Sequence, residues 1–171
     1  MSELSAPMAA AWRTSVVEDF AASELFDRTF QEGMELVEDA AAYLDGAGRQ
    51  ESKLLSRAGA IAYAAESMRL TTRLMQLASW LLVQRAVREG DMQAHDACDA
   101  RYRLKDDNGA CSQDDAAATL PGGLKALIEQ ADRLYERVLH LDRRMYVEQA
   151  PTEQTHPVFN QMDRIQAAFG T

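Results

Sequence analysis

The chain has 171 residues and a formal net charge of −9, with 47% hydrophobic but only 7% aromatic residues. That length suits one domain with tails, and the acidic balance speaks against a nucleic-acid-binding surface. Two cysteines, Cys98 and Cys111, are too few for a disulfide scaffold and fit a reduced cytoplasmic setting; no secretory signal is visible, and the apolar run Leu77–Val83 is far too short to span a membrane.

Residues 1–22, rich in Ala and Ser and carrying Pro7, read as a flexible extension. Ser23 is the predicted N-cap of a first helix over 23–44, whose apolar face is Phe26, Phe30, Val37, Ala41 and Leu44. Gly33 in its middle costs about 1 kcal/mol relative to alanine, a cost that close helix packing explains. This helix carries six acids against Arg28 alone. The stretch 46–53, GAGRQESK, lacks the glycine before lysine and the preceding strand of a phosphate loop, so it reads as an interhelical turn.

A second helix is predicted over 51–89 with Gly90 as its stop, roughly 58 Å long. It is apolar in two directions. One seam steps by four and three through Leu54, Ala58, Ile61, Ala65, Met68, Thr72, Met75, Ser79, Leu82 and Ala86, a coiled-coil-like register. A second stripe holds Leu70, Leu74, Leu77 and Leu81, widened by Trp80, Val83 and Val87. Six bases against three acids on this helix complement the first. The first helix, at about 33 Å, covers only about half of the second. The overhang is expected at the C-terminal half, under a third helix or a second subunit. Leu70, Leu74, Leu77, Trp80, Leu81 and Val83 are therefore assigned to helix packing or to a homodimer interface. Glu66, Arg69, Arg73 and Gln76 run between the two stripes and lead to Trp80; they are assigned as a partner docking strip.

Residues 91–120 form a polar connection with seven aspartates against Arg101, Arg103 and Lys105, within which Met92–Leu104 suggests a short helix. The third helix, over about 122–148, has the seam Leu124, Leu127, Ala131, Leu134, Val138, Leu141 and Met145. The tail 149–171 carries Pro151 and Pro157 and reads as flexible, with Phe159, Ile165 and Phe169 as an apolar contact motif. The predicted fold is all-α: a three-helix antiparallel bundle with a long central helix between a flexible extension and tail.

No catalytic constellation accompanies these helices. His95-x-x-Cys98 with Cys111 lacks the paired ligand spacing of a structural zinc site. Glu136 and His140 are four apart rather than three, and no second such pair exists, which disfavours a di-metal bundle. No catalytic residue, metal or cofactor is assigned. The residues alone describe a helical interaction module, with a plain homodimeric scaffold as the alternative.

The block from Leu25 to Met92 closely resembles the RcdA family of alphaproteobacteria, the regulators of CtrA degradation. The most specific pieces are LFDRTF (25–30), YLDG (43–46), LSR (55–57), AYA (62–64) and ESMRLTTRLMQLASWLL (66–82). The resemblance implies a non-enzymatic, dimeric three-helix adaptor with a flexible C-terminal tail. It implies a cytoplasmic protein, recruited to the cell pole, that links protein substrates to the ClpXP protease. The implied partners are a response-regulator adaptor that primes the protease, a cyclic-di-GMP-binding adaptor, and cargo such as CtrA.

Overall fold

A computed structural model describes residues 5–105 and 119–146, and among them every regular element is helical. The elements are α1 (Ser5–Ala21), α2 (Glu24–Asp45), α3 (Ala47–Ser52), α4 (Arg57–Glu89), α5 (Ala94–Ala97), a 3₁₀ turn at Ala100–Tyr102, and α6 (Gly122–Tyr146).

The N-terminal segment departs from expectation. Instead of a flexible extension it forms α1, which packs on α4, α5, α6 and the start of α2. Its composition is alanine-rich, and alanine is the strongest helix former. Pro7 lies in the first turn, where a missing N–H costs little. Val17, Phe20 and Ala21, at helical spacing, carry the contact and are buried. Phe20 sits 5.8 Å from both the Phe26 and Trp80 rings, centroid to centroid.

Ser23 caps α2 as predicted, its hydroxyl accepting the Phe26 N–H at 3.2 Å. The expected continuous second helix is broken. The segment 46–53 is not a plain turn but holds the short α3, fixed to α2 where the Tyr43 hydroxyl donates to Glu51 at 2.7 Å. The chain restarts at Ser56, which caps α4 by accepting the Gly59 N–H at 3.1 Å. At the far end Gly90 adopts φ +80°, the left-handed conformation that ends helices at little cost for glycine.

The helix directions also differ from the antiparallel bundle. Asp27 meets Arg88, Phe30 lies under Arg85 at 5.3 Å, and Gly33 abuts Leu81, so α2 and α4 are antiparallel. Arg73 pairs with Asp132, Trp80 with Asp142 and Gln84 with Tyr146, so α4 and α6 are parallel. The chain leaving Gly90 must therefore travel back along α4 before α6 begins. It does so: Arg101–Lys105 lie beside Thr72–Val83, and Thr119 lies beside Gly59. The return covers about 45 Å at 1.5 Å per residue of α4. The short helix expected within Met92–Leu104 appears as α5 and the 3₁₀ turn on that path.

The core lies between α1, α2, α4 and α6, and Leu77, Trp80, Leu81, Leu124, Leu134 and Val138 are essentially inaccessible to solvent. Gly33 is a close contact between α2 and α4: a Cβ there would lie 2.5 Å from Leu81 Cδ1. Gly33→Ala sets about 1 kcal/mol of helix propensity against that overlap, so urea unfolding should move by less than this in either direction. Gly33→Val adds two more carbons to a filled space and should lower stability by about 1–3 kcal/mol. An unchanged unfolding midpoint for the valine variant would contradict the packing described.

Candidate protein interaction surface

The two apolar directions of α4 meet opposite fates. The stripe assigned to packing or dimerisation is inside the chain's own fold: Leu70, Leu74, Leu77, Trp80 and Leu81 are buried, and Val83 is half-buried against them. The cover comes from α1, α2 and α6, so a second subunit is not needed to shield these residues. The overhang lies at the end opposite to the one the sequence predicts, because α2 and α1 both reach the C-terminal half of α4.

The other direction is open. Leu54 is 87% exposed, Ile61 64%, Met68 72%, Met75 66% and Leu82 51%. The intervening positions Ala58, Ala65, Thr72 and Ser79 are exposed too, and Ala86 is half-buried. A seam of ten uncharged residues thus runs along α4 and just beyond its start, and among the described residues none lies over its large side chains. Scattered exposed apolar residues are ordinary, but a contiguous row of this length marks an interaction surface.

Two grooves flank the seam and meet at Met75. One, about 440 Å³, is lined by Trp80 and Val83 on the α4 side and has a wall formed by Arg101–Lys105. The other, about 340 Å³, lies between α2 and α4 and is lined by Val37, Leu44, Thr71, Leu74 and Ala78 among others.

The wall of the larger groove is held by one buried carboxylate. Asp142, fully inaccessible, accepts the Trp80 indole N–H on Oδ1 at 2.9 Å and Arg103 Nη2 and Nε on Oδ2 at 2.8 and 3.0 Å, with Nε also 3.2 Å from Oδ1. Arg103 also lies over the Tyr146 ring at 4.9 Å. Tyr146 accepts a hydrogen bond from Gln84 Nε2 at 2.9 Å, and burial pushes its hydroxyl up to about 12. Burial likewise raises the Cys98 thiol, whose sulfur donates to the Ala94 carbonyl.

The assigned docking strip faces α6 rather than a foreign partner. Arg69 pairs with Glu66 at 3.5 Å, Arg73 binds Asp132 and lies 5.0 Å over the Tyr135 ring, and Gln76 accepts the Tyr135 hydroxyl at 3.2 Å. Sequence periodicity located the strip but could not tell which helix would meet it. The tail motif Phe159, Ile165 and Phe169 lies outside the described residues. Among those residues no three His, Cys, Asp or Glu side chains gather as a metal site, and no helix is long and apolar enough to cross a membrane.

Comparison with known proteins places the chain clearly. A family model described as "Protein of unknown function (DUF1465)" matches residues 17–169. The crystal structure of RcdA from Caulobacter crescentus CB15 is similar, with 62% sequence identity and a TM-score of 0.64, over 77% of this chain and 98% of that one. No curated protein matches.

Removing the Asp142 carboxylate strands a half-buried guanidinium and a buried indole N–H. Asp142→Ala should therefore lower stability by about 3–5 kcal/mol, with Asp142→Asn costing less because an acceptor for Trp80 remains. Chemical denaturation measures the loss, and near-ultraviolet circular dichroism should report a disturbed tryptophan. Tyr146 contributes stability that is complete below its ordinary value of 10.0 and is lost as the pH rises through about 12. Its phenolate absorbance should accordingly appear after that of exposed tyrosines.

Proposed function

The chain belongs to the RcdA family, and from that premise we propose that it is a non-enzymatic adaptor that tethers protein substrates to the ClpXP protease for regulated degradation. The observation that carries this reading is the seam of α4, a long uncharged row that no described residue covers and that suits a protein partner. In this reading the chain acts in the cytoplasm and at the cell pole as a homodimer. It engages a response-regulator adaptor on the protease, a cyclic-di-GMP-binding adaptor, and a CtrA-like cargo. Holding cargo beside the protease raises its effective concentration, which accelerates degradation without any bond being made or broken by the adaptor. The homodimer contact is moved from the buried leucine stripe to the seam Leu54–Ala86.

The helices supply rigid faces, and the three-helix core of α2, α4 and α6 is the part common to the proposed family architecture. In this reading the tail 149–171 is the part that contacts partners, with Phe159, Ile165 and Phe169 as the contact motif.

Two measurements test the proposal. Sedimentation of the full chain at micromolar concentration should give twice the 19.0 kDa chain mass, and Leu82→Lys should shift it towards the monomer. In a reconstituted degradation assay with ClpXP, the response-regulator adaptor, the cyclic-di-GMP-binding partner and CtrA, adding the chain should accelerate CtrA loss by about tenfold or more, the gain that tethering supplies. Replacing Phe159, Ile165 and Phe169 together by alanine should remove most of that gain. A dimer that leaves degradation unchanged in the complete system would instead be a scaffold, and the adaptor reading would fall.

A further inference from the structure

We infer that the seam of α4 is a self-recognition surface on which a second copy of this chain lies antiparallel, about a two-fold axis passing between Met68 and Thr72. This inference rests on the homodimer of the proposed function and adds its partner surface, direction and register.

The seam consists of two rows. Leu54, Ile61, Met68, Met75 and Leu82 are seven residues apart and large; Ala58, Ala65, Thr72, Ser79 and Ala86 are also seven apart and small. A two-fold axis that turns α4 end for end brings each residue opposite the one whose number completes 140. Met68 then faces Thr72, Ile61 faces Ser79, Met75 faces Ala65 and Leu82 faces Ala58, each across the axis and each twice. Leu54, just ahead of the helix, falls near Ala86. Every large residue meets a small one, so all layers have the same thickness and both helices can touch along their whole length.

A parallel pairing in register has no such property. It sets Met68 on Met68 and Thr72 on Thr72, so that wide layers alternate with narrow ones. Close packing cannot be met in both at a single helix spacing. Contacts between identical surfaces close on themselves under a two-fold axis, so the pairing ends at two copies.

The surroundings agree. Ala64, Thr71 and Ala78 border the seam on one side, leaving the backbone approachable. The grooves on either side of Met75 lie opposite Ile61 and Ala65 of the second copy, and accept the side chains flanking them. The N-terminal part of α4, which extends past the end of α2, comes to rest on the partner's C-terminal half. At each end Arg57 of one copy approaches Arg85 of the other, whose charge Glu89 already offsets at 2.7 Å.

Disulfide trapping distinguishes the arrangements. In a full chain with Cys98→Ser and Cys111→Ser, the pair Ile61→Cys and Ser79→Cys is separated by about 27 Å along one helix, so it cannot close within a copy. Under mild oxidation this double variant should form a covalent dimer in high yield, and either single variant should not. Single variants that cross-link as well as the double one would show a parallel pairing and overturn the inference while leaving the homodimer standing. Met68→Lys, exposed and beside the axis, should leave the helix content of the chain unchanged. It should weaken dimerisation by roughly 100-fold or more, because two uncompensated charges enter the interface. A wild-type chain that sediments as a monomer at every concentration would overturn both the register and the homodimer. A stable dimer indifferent to Met68→Lys would overturn the seam as its site.

Discussion

The Asp142 carboxylate holds the architecture at its most demanding point. Because α6 runs parallel to α4, the chain must return towards the start of α4 between them, and the described part of that return, residues 91–105, has no reason of its own to lie against the helix. Asp142 supplies the reason. From one buried position on α6 it takes the indole N–H of Trp80 on α4 and the guanidinium of Arg103 on the returning segment. A buried carboxylate without partners would be prohibitive; with charge-assisted donors on both oxygens it becomes a fixed joint between three parts of the chain. The larger groove exists because that joint sets its wall.

The joint also decides how α4 is shared out. Around any one helix there is room for only a few neighbours at the usual 8–10 Å spacing. Here α2, α6, α1 and the returning segment gather around the Leu70–Leu81 stripe. What remains is the opposite arc of the same helix, and the sequence keeps that arc uncharged for more than thirty residues. Nothing in the packing of the described residues calls for Ile61, Met68 or Met75 to be apolar, since none of those residues covers them.

The parts of this arrangement that local chemistry controls were legible in the sequence. Ser23 as a cap, Gly90 as a stop, Gly33 as a close contact and the two apolar directions of α4 all follow from rules acting within a few residues. The Ser56 cap was equally local, but the seam continues in step across Leu54 and hides the break. Helix α1 escaped because alanine-rich composition gives no sharp stripe; the spacing of Val17, Phe20 and Ala21 was its one signal. Direction was not legible at all. Both apolar faces of α4 look alike as patterns, and only the long-range pairs Arg73–Asp132 and Trp80–Asp142 decide that α6 lies parallel and which face becomes core. A connection of thirty residues was the one hint, since an antiparallel neighbour needs only a short loop.

For an adaptor, the sharing of residues between seam and groove has a direct consequence. Thr72, Met75 and Ser79 belong to the proposed dimer contact and also line the larger groove. A protein segment entering that groove therefore meets residues whose surroundings differ between one copy and two. Its affinity must then depend on assembly, and by linkage its binding must shift assembly by the same factor. If the groove is completed by the second copy, guest and dimer reinforce each other, and each dimer offers two equivalent sites whose joint use gains from effective concentration. If the second copy narrows the groove, the guest dissociates the pair. In both cases the surface that leaves α4 unfinished within one chain is the surface through which the number of copies and the presence of a guest are coupled.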